Sequence, residues 1–249
     1  MSGALSGKSA FVTGGGSGVG AVIAQMLAGA GASVTICGRR AEALQTVATT
    51  HPGIRTVVAD ITDEAAISAA IAAASPDIVI ANAGASASAP FVRTELADFE
   101  QMMRVNLTGT FLTLREGARA MKEKPWGRLI AIASTAGIKG YPYVAPYAAA
   151  KHGVVGMVKS VALELVRKGV TVNAVCPGFL DTEMTTRSIA NIVEKTGRTP
   201  EEARASLEAT NPMHRLVPPE DVARAVLWLC AEGSDMVTGQ AISVSGGET

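Results

Sequence analysis

A glycine-rich stretch without charge, close to the start of the chain, constrains the fold most. From Ser9 to Gly38, 30 consecutive residues carry no formal charge, which exceeds the roughly 20 apolar residues that span a bilayer. Four glycines fall within the five residues 14–18, however, and their non-helical backbone would leave polar groups unsatisfied in lipid. We therefore exclude a transmembrane helix and interpret the stretch as the interior of a folded domain.

Within this stretch the pattern is strand, glycine loop, helix, strand. Short β-branched runs predict strands, and apolar residues at helical spacing after the glycines predict the helix between the first two. The predicted strands are Ser9–Thr13, Ser33–Cys37, Ile54–Ala59, Asp77–Ala81, Gly127–Ala133, Val170–Val175 and Ala241–Val244. The predicted helices after the first are 40–49, 63–74, 95–121, 147–167 and 219–231. Because strands alternating with helices favour parallel pairing, we predict one α/β domain over residues 1–249, a doubly wound parallel sheet of the Rossmann type.

Charge and cysteine content exclude several classes of function. Lysine plus arginine is 22 and aspartate plus glutamate is 22, a net charge of 0, so nucleic acid is not an expected partner. The first residues, MSGALSGK, lack the pattern of a signal peptide. The 3 cysteines and 3 histidines are scattered, without metal-ligand spacing or a disulfide framework. We expect a cytoplasmic protein with no metal site and no membrane association.

The glycine loop has the composition of a phosphate-binding turn. Residues 13–20 read TGGGSGVG between a predicted strand and a predicted helix. Glycines allow the backbone to approach a pyrophosphate, and the amino end of the helix stabilises its charge. A tight turn without a ligand would have the same composition, since such motifs are weak on their own.

A second motif, S-x12-Y-x3-K, is formed by Ser134, Tyr147 and Lys151. Tyr147 and Lys151 lie one helical turn apart and so share a face. An adjacent ammonium favours the phenolate of a tyrosine and brings its pKa toward a useful range. A tyrosine with a lysine four residues later also occurs by chance. Ser134 alone could simply satisfy its own backbone at a strand end.

Together these motifs resemble the short-chain dehydrogenase/reductase family over essentially the whole chain. The resemblance rests on TGGGSGVG, Asp60-Ile61, Asn82-Ala83-Gly84, Asn106, Ser134, Tyr147-Ala-Ala-Ala-Lys151 and Pro177-Gly178. It implies a single Rossmann-type domain with a seven-stranded parallel sheet. It also implies a nicotinamide cofactor at the carboxyl ends of the strands, and a homotetramer.

The family pattern also implies roles for individual residues. Tyr147 would be the general acid in ketone reduction and the base in alcohol oxidation, and Ser134 would hydrogen-bond the carbonyl oxygen. Lys151 would hold the nicotinamide ribose and lower the pKa of Tyr147, while Asn106 would position a water in the proton relay. The implied cofactor contacts are Gly14, Ser17, Gly18, Gly20, Arg39, Arg40, Asp60, Ile61, Asn82, Gly84, Tyr147, Lys151, Pro177, Gly178 and Thr182. Asn82 could equally bridge neighbouring strands through its amide.

The end of the second strand bears on the choice of dinucleotide. An acidic side chain there would bind both ribose hydroxyls of NAD and repel a 2′-phosphate. This chain has Gly38 followed by Arg39 and Arg40, so a phosphate would meet guanidinium groups, which favours NADP. Many NADP-dependent relatives carry a basic residue where this chain has Ser17, and both arginines could merely be solvated at a helix start. NAD stays possible.

We therefore predict an NADP(H)-dependent oxidoreductase that interconverts a ketone and a secondary alcohol, the substrate being a 3-oxoacyl thioester or a hydrophobic ketone. The apolar segments 85–92 and 138–144 would form pocket walls, and the polar insertion 183–214 a substrate lid. One alternative is an NAD-dependent dehydrogenase of a cyclic alcohol or a 3-hydroxyacyl-CoA. Another is a dinucleotide-binding regulator without turnover, against which the intact catalytic set argues. The helix at 147–167 is apolar nearly all round, which favours contact with a second subunit.

Overall fold

The sheet is built from seven short strands rich in β-branched residues. The computed structural model describes residues 3–249. Its strands are β1 (Ser9–Thr13), β2 (Ser33–Gly38), β3 (Ile54–Val58), β4 (Ile78–Ala81), β5 (Gly127–Ile132), β6 (Val170–Pro177) and β7 (Ala241–Val244). All are parallel, in the order β3-β2-β1-β4-β5-β6-β7. The predicted doubly wound sheet is therefore confirmed, with strand boundaries within two residues of those predicted.

Helices fill the connections between the strands. They are α1 (Gly18–Gly29), α2 (Ala41–Ala48), α3 (Glu64–Ala74), α4 (Leu96–Met103), α5 (Gly109–Ala120), α6 (Ala145–Leu165), α7 (Glu183–Thr196), α8 (Pro200–Glu208) and α9 (Pro219–Cys230). Short 3₁₀ turns add Phe91–Arg93, Thr135–Gly137 and Val166–Lys168.

Strand side chains alternate between two apolar layers, one on each face of the sheet. Ile78 and Ile80 of β4 join the layer formed with α1, α2 and α9, whereas Val79 and Ala81 join the layer formed with α3, α5 and α6. Each fully buried isoleucine contributes roughly 1.5–3 kcal/mol by leaving water. Since the seven strands form one sheet with an apolar layer on each face, the described residues form a single domain.

The predicted helix at 95–121 is interrupted. Residues Arg104–Thr108 form a π-helical turn between α4 and α5. The Asn106 amide donates to the Met102 carbonyl at 3.1 Å, and this extra donor occupies the acceptor of the preceding turn. A widened turn of this kind is frequent at functional sites, and here it carries one of the candidate site residues.

The order of the strands locates the cleft. The chain winds from β1 outward to β3 and then returns to β4 on the other side of β1. At this reversal the connections leave in opposite directions, which opens a crevice beyond the carboxyl ends of β1 and β4. Within residues 3–249, no helix combines the length and the apolar character needed to cross a membrane.

Candidate active site

The glycine loop joins β1 to α1 in a conformation that side chains would block. Gly14 has φ +67°, and a Cβ on Gly20 would lie 2.3 Å from the Gly14 carbonyl oxygen. Ser17 precedes α1 without a side-chain cap, and the first turn holds no acidic residue. The first N–H groups and the positive end of this helix are therefore left for an anion.

Asn82 and Thr13 bind the carboxyl ends of β1 and β4 together. The Asn82 amide nitrogen donates to the Thr13 carbonyl at 2.9 Å. The Thr13 hydroxyl accepts from the backbone N–H groups of Asn82 and Ala83 at 3.0 and 3.1 Å. The Asn82 amide thus bridges neighbouring strands, which is one of the two roles that the sequence left open for this residue. Thr13 was not singled out from the sequence, although it directly precedes the glycines.

Arg39 and Asp60 face each other beside the loop. Arg39 is exposed and its Nη1 lies 4.0 Å from Asp60 Oδ2. The pKa of Asp60 is lowered, chiefly by the backbone N–H of Thr62 and further by the Arg39 charge. A cavity of about 90 Å³ is lined by Gly14, Gly16, Ser17, Gly38, Arg39, Arg40, Ala43 and Leu44. Both arginines therefore border the same cavity as the glycine loop.

Ile61 is placed differently from Asp60. Its side chain is buried against Gly109, where a Cβ would lie 2.5 Å from Ile61 Cδ1. The side chain therefore belongs to the packing between β3 and α5, and any contact of Ile61 with a cofactor would come from its backbone.

Ser134 follows β5, and Tyr147 lies in the first turn of α6. The Ser134 hydroxyl accepts from the Ala136 N–H at 3.1 Å and so caps the 3₁₀ turn that follows it. Burial of the Tyr147 hydroxyl raises its pKa, and the interaction with the Ser134 side chain opposes that shift. The structure thus brings together two hydroxyls that are 13 positions apart in sequence.

Lys151 is a buried ammonium close to Tyr147. Its side chain is only 4% exposed. Its Nζ donates to the Ile132 carbonyl at 2.8 Å and lies 5.6 Å from the centre of the Tyr147 ring. Burial lowers the pKa of Lys151 to about 8. Among residues 3–249 no carboxylate forms an ion pair with it, so its remaining N–H donors are available to a ligand.

One expectation differs from the structure. The adjacent ammonium was expected to lower the pKa of Tyr147, yet burial raises it, and Lys151 is not among the groups that shift it. The physical reason is that burial of the Tyr147 hydroxyl outweighs its hydrogen bond with Ser134, while the Lys151 ammonium is turned to the Ile132 carbonyl.

Asn106 closes the site from the side of the π-helical turn. Its Nδ2 donates to the Ala85 carbonyl at 2.9 Å, and its Oδ1 accepts from the Ala85 N–H at 3.2 Å. A Cβ on Gly84 would lie 2.8 Å from Asn106 Oδ1 and 3.8 Å from Lys151 Nζ. Asn106 therefore holds the loop after β4, and Gly84 lies between it and Lys151.

The segment after β6 returns to the glycine loop. Gly178 donates to the Val244 carbonyl at 3.1 Å, directly after Pro177. Thr182 precedes α7, and a Cβ on Gly18 would lie 3.8 Å from its Cγ2. The predicted cofactor residues at the ends of β1, β2, β4 and β6 thus converge on one edge of the sheet.

The two predicted pocket walls contact each other, and one of them contacts the insertion. The Ala89 N–H donates to the Tyr143 carbonyl at 2.8 Å, and Tyr143 has a φ of +68°. Asn191 of α7 donates to the Ser88 hydroxyl at 3.0 Å. Segment 85–92 therefore lies against both segment 138–144 and segment 183–214.

Sequence reasoning missed a buried thiol and a buried carboxylate at the site. Cys176 of β6 is buried, and burial raises its pKa to about 11. The Glu248 side chain is 1% exposed and accepts a hydrogen bond from the Tyr141 hydroxyl. No spacing rule could indicate the contact between Tyr141 and Glu248, because these two residues are 107 positions apart.

The residues present fit a nicotinamide dinucleotide. Gly14 and Gly20 leave a cradle that a Cβ would fill, α1 offers uncapped N–H groups, and Lys151 offers unpaired donors. No group of three or more His, Cys, Asp or Glu side chains within residues 3–249 is arranged to hold a metal ion.

Comparison with known proteins agrees with this geometry. A family model described as enoyl-(acyl carrier protein) reductase matches residues 14–249. The 3-oxoacyl-(acyl-carrier-protein) reductase FabG of Aquifex aeolicus (strain VF5) is 36% identical over 253 residues, which cover 98% of this chain and 98% of that protein. The D-beta-hydroxybutyrate dehydrogenase of Rhizobium meliloti (strain 1021) is 34% identical over 255 residues, covering 97% and 98%.

A solved structure shares the whole architecture. A variant of actinorhodin polyketide ketoreductase, crystallised with NADPH, superposes with a TM-score of 0.94 at 35% identity, covering 100% of this chain and 99% of the other. The chain belongs to the short-chain dehydrogenase/reductase family. It is an NAD(P)-dependent oxidoreductase of that family.

Proposed function

We propose that the protein reduces ketones to secondary alcohols with NADPH, and that its substrate is a 3-oxoacyl thioester or a hydrophobic ketone. The observation that carries the proposal is the meeting of Ser134, Tyr147 and the buried Lys151 at the sheet edge that also carries the glycine loop.

The cofactor would lie across the carboxyl ends of the strands. Gly14, Ser17, Gly18 and Gly20 would surround the pyrophosphate, and Lys151 would hold the nicotinamide ribose. The ends of β3, β4 and β6 would add the contacts of Asp60, Ile61, Asn82, Gly84, Pro177, Gly178 and Thr182. When bound, the dinucleotide supplies the reducing equivalent.

Tyr147 would give the proton in this reaction. Because burial raises its pKa, the hydroxyl is protonated at neutral pH and can act as the acid when negative charge develops on the carbonyl oxygen. Ser134 would donate a second hydrogen bond to the same oxygen, and such preorganised donors stabilise the transition state. The Asn106 amide is occupied by Ala85 and Met102, so a relay water would have to bind the backbone of the widened turn.

Preference for NADPH follows from the charges around the cavity next to the loop. Gly38 has no side chain, so the carboxylate that would repel a 2′-phosphate at this position is absent. Arg39, 77% exposed, can turn from Asp60 toward such a phosphate, and Arg40 borders the same cavity. The related ketoreductase structure holds NADPH, which supports the same choice.

A hydrophobic or thioester substrate follows from the walls and from the relatives. The predicted walls and the insertion each carry an exposed apolar side chain, namely Phe91, Ile138 and Met184. A relative with 36% identity is a 3-oxoacyl reductase. We assign residues 183–214 as the lid, because α7 contacts the wall at Ser88.

The test is a substrate panel with the purified protein. Initial rates of NADPH and NADH consumption are measured with 3-oxoacyl thioesters, hydrophobic ketones and cyclic ketones, and the reverse reaction with the corresponding alcohols. We expect turnover with NADPH and a 3-oxoacyl thioester or apolar ketone. A strong preference for NAD with cyclic alcohols would instead identify the NAD-dependent alternative. Binding of dinucleotide without any turnover would identify a regulator.

Assembly and location belong to the same proposal. The face of α6 turned from the sheet exposes Leu163, and α4 and α5 expose Phe99 and Phe111. We propose that a second copy covers this face in a homotetramer, which light scattering of the purified protein tests. Cytoplasmic location stays a prediction.

A further inference from the structure

Glu248, in the segment 245–249 that follows β7, is a charged group that the mechanism above does not use. Its side chain is almost fully buried, and Lys139 Nζ lies 3.0 Å from its Oε1. Among the described residues, its Oε2 is the one buried side-chain nitrogen or oxygen atom without a hydrogen-bond partner. Burial of a carboxylate is unfavourable unless it is paired. The contacts of Glu248 therefore offset the cost of its burial, and they indicate its role.

The direction of the hydrogen bonds follows from the charge. Glu248 forms an ion pair with Lys139, and a carboxylate in an ion pair only accepts hydrogen bonds, so the Tyr141 hydroxyl donates to Glu248. The Tyr141 oxygen must then accept from the Thr135 hydroxyl, at 2.6 Å. Glu248 thus orients Tyr141 and Thr135, and Thr135 directly follows Ser134.

Tyr141 stands between this network and the reacting groups. Its ring packs edge-on against Phe179, with the ring centres 5.9 Å apart and the planes at 83°. Its hydroxyl is close enough to Tyr147 that the charge of one influences the ionisation of the other. Tyr141 belongs to the expected pocket wall at 138–144, so a shift of its ring would change the shape of that pocket.

The turn after Ser134 also packs closely against α6. A Cβ on Gly137 would lie 2.7 Å from the Lys151 carbonyl oxygen. The Ser134–Gly137 turn is therefore held by α6 on one side and by the Thr135–Tyr141–Glu248 chain on the other.

Segment 245–249 also contacts the insertion. A Cβ on Gly246 would lie 2.1 Å from Asn211 Oδ1, and one on Gly178 would lie 3.1 Å from Glu248 Oε2. This short segment therefore contacts three parts of the pocket: the end of the insertion, the end of β6, and the wall at 138–144.

We propose that Glu248 is a positioning residue for the substrate: through Tyr141 it fixes the pocket wall that decides which face of a prochiral ketone is reduced. The inference rests on the proposed ketone reduction. The effect of Glu248 on the substrate would pass through the hydrogen bond that it accepts from the Tyr141 hydroxyl.

The experiment compares Tyr141→Phe, Glu248→Ala and the double variant with the wild type at saturating NADPH. A prochiral ketone is reduced, and KM, kcat and the ratio of the two alcohol enantiomers are measured. We expect each single change to alter the enantiomer ratio at least threefold and to raise KM more than it lowers kcat. The double variant should do no more than the larger single change, since both remove one contact.

Two further variants separate positioning from stability. Glu248→Gln keeps an oxygen that can accept from Tyr141, so we expect it to return the enantiomer ratio toward the wild-type value. Glu123→Gln is the matched control, because Glu123 is 87% exposed, and it should leave ratio and KM unchanged. If Glu248→Ala does not fold, Tyr141→Phe, which loses a single oxygen, decides the question.

A purely structural role would lower the active fraction, and hence the apparent kcat, without moving the ratio or KM. That result in Tyr141→Phe overturns the inference, as does an additive double variant. A wild-type protein that reduces no ketone overturns the proposed function and this inference together. If the wild type reduces ketones and the variants have the same enantiomer ratio and the same KM as the wild type, this inference alone is overturned.

Discussion

The Lys151 ammonium donates to the carbonyl oxygen of Ile132 at 2.8 Å, at the point where β5 ends, two residues before Ser134. This bond fixes a buried charge against the carboxyl edge of the sheet rather than against a carboxylate. One donor is used by the protein, and the ammonium lies near both Gly84 and the Tyr147 ring. The ammonium would therefore be available to the ribose of the proposed cofactor.

Its burial has a consequence for stability. The pKa of Lys151 is lowered from 10.5 to about 8, so between these pH values the unfolded chain keeps a proton that the folded protein has lost. Stability from this group therefore rises as pH increases through the window 8–10.5. In urea unfolding, we expect the free energy of the wild type relative to Lys151→Met to increase by about 1 kcal/mol from pH 7.5 to 9. A decrease over this range would contradict the lowered pKa.

Removal of the Tyr147 or the Ser134 hydroxyl should lower kcat with little change in NADPH affinity. Tyr147→Phe removes the proton donor without touching the glycine loop, so kcat should fall by roughly 10²–10⁴. Ser134→Ala removes one stabilising donor and should cost roughly 10²–10³ in kcat. NADPH affinity, measured by fluorescence, should stay within about threefold of wild type in both. Retention of full turnover by Tyr147→Phe would falsify the assigned proton donor.

The choice of dinucleotide can be reversed at Gly38. A Cβ there would make only ordinary contacts, the nearest at 3.5 Å from Leu44 Cδ2, so Gly38→Asp fits without strain. Its carboxylate would repel a 2′-phosphate and bind ribose hydroxyls. We expect the ratio of kcat/KM for NADPH over NADH to fall by roughly 100-fold, the size of a charged hydrogen bond gained or lost.

Substitution of Arg39 tests whether its positive charge contributes to NADPH binding in the same cavity. Arg39→Ala should weaken NADPH binding about 10-fold or more and leave NADH nearly unchanged, since it removes a phosphate contact. Arg55→Ala, an exposed arginine on β3, is the matched control for loss of one positive charge. Equal effects of the two changes on NADPH would show that only the overall charge matters.

Much of the site could be predicted because its signals are local. The glycine loop, the Tyr147–Lys151 spacing and the β-branched strands are each read within a few residues, and the parallel sheet then brings the strand ends together. The Asn82 bridge and the widened turn at Asn106 depend on hydrogen bonds that compete with regular backbone pairing, and no periodicity encodes that competition.

The rest depends on distant contacts. Glu248 reaches Tyr141 across 107 positions, and a glutamate near the end of a chain reads as a solvated charge. The pKa of Tyr147 followed burial rather than its neighbouring lysine, because the direction of the Lys151 side chain is set by the Ile132 carbonyl. Sequence spacing places two groups on one helix face, and tertiary packing decides where their atoms point.

Two glycines of α1 give a matched test of the cradle. A Cβ on Gly20 would lie 2.3 Å from the Gly14 carbonyl oxygen and 2.4 Å from Asn82 Nδ2, whereas a Cβ on Gly29 meets nothing within 4 Å. Gly20→Ala must therefore displace the loop and the strand bridge, and we expect a loss of at least about 2 kcal/mol with much weaker NADPH binding. Gly29→Ala should instead gain about 0.5 kcal/mol from helix propensity. Urea unfolding and NADPH titration of both variants check this, and a Gly20→Ala protein with wild-type stability and affinity would rule out the close-packed cradle.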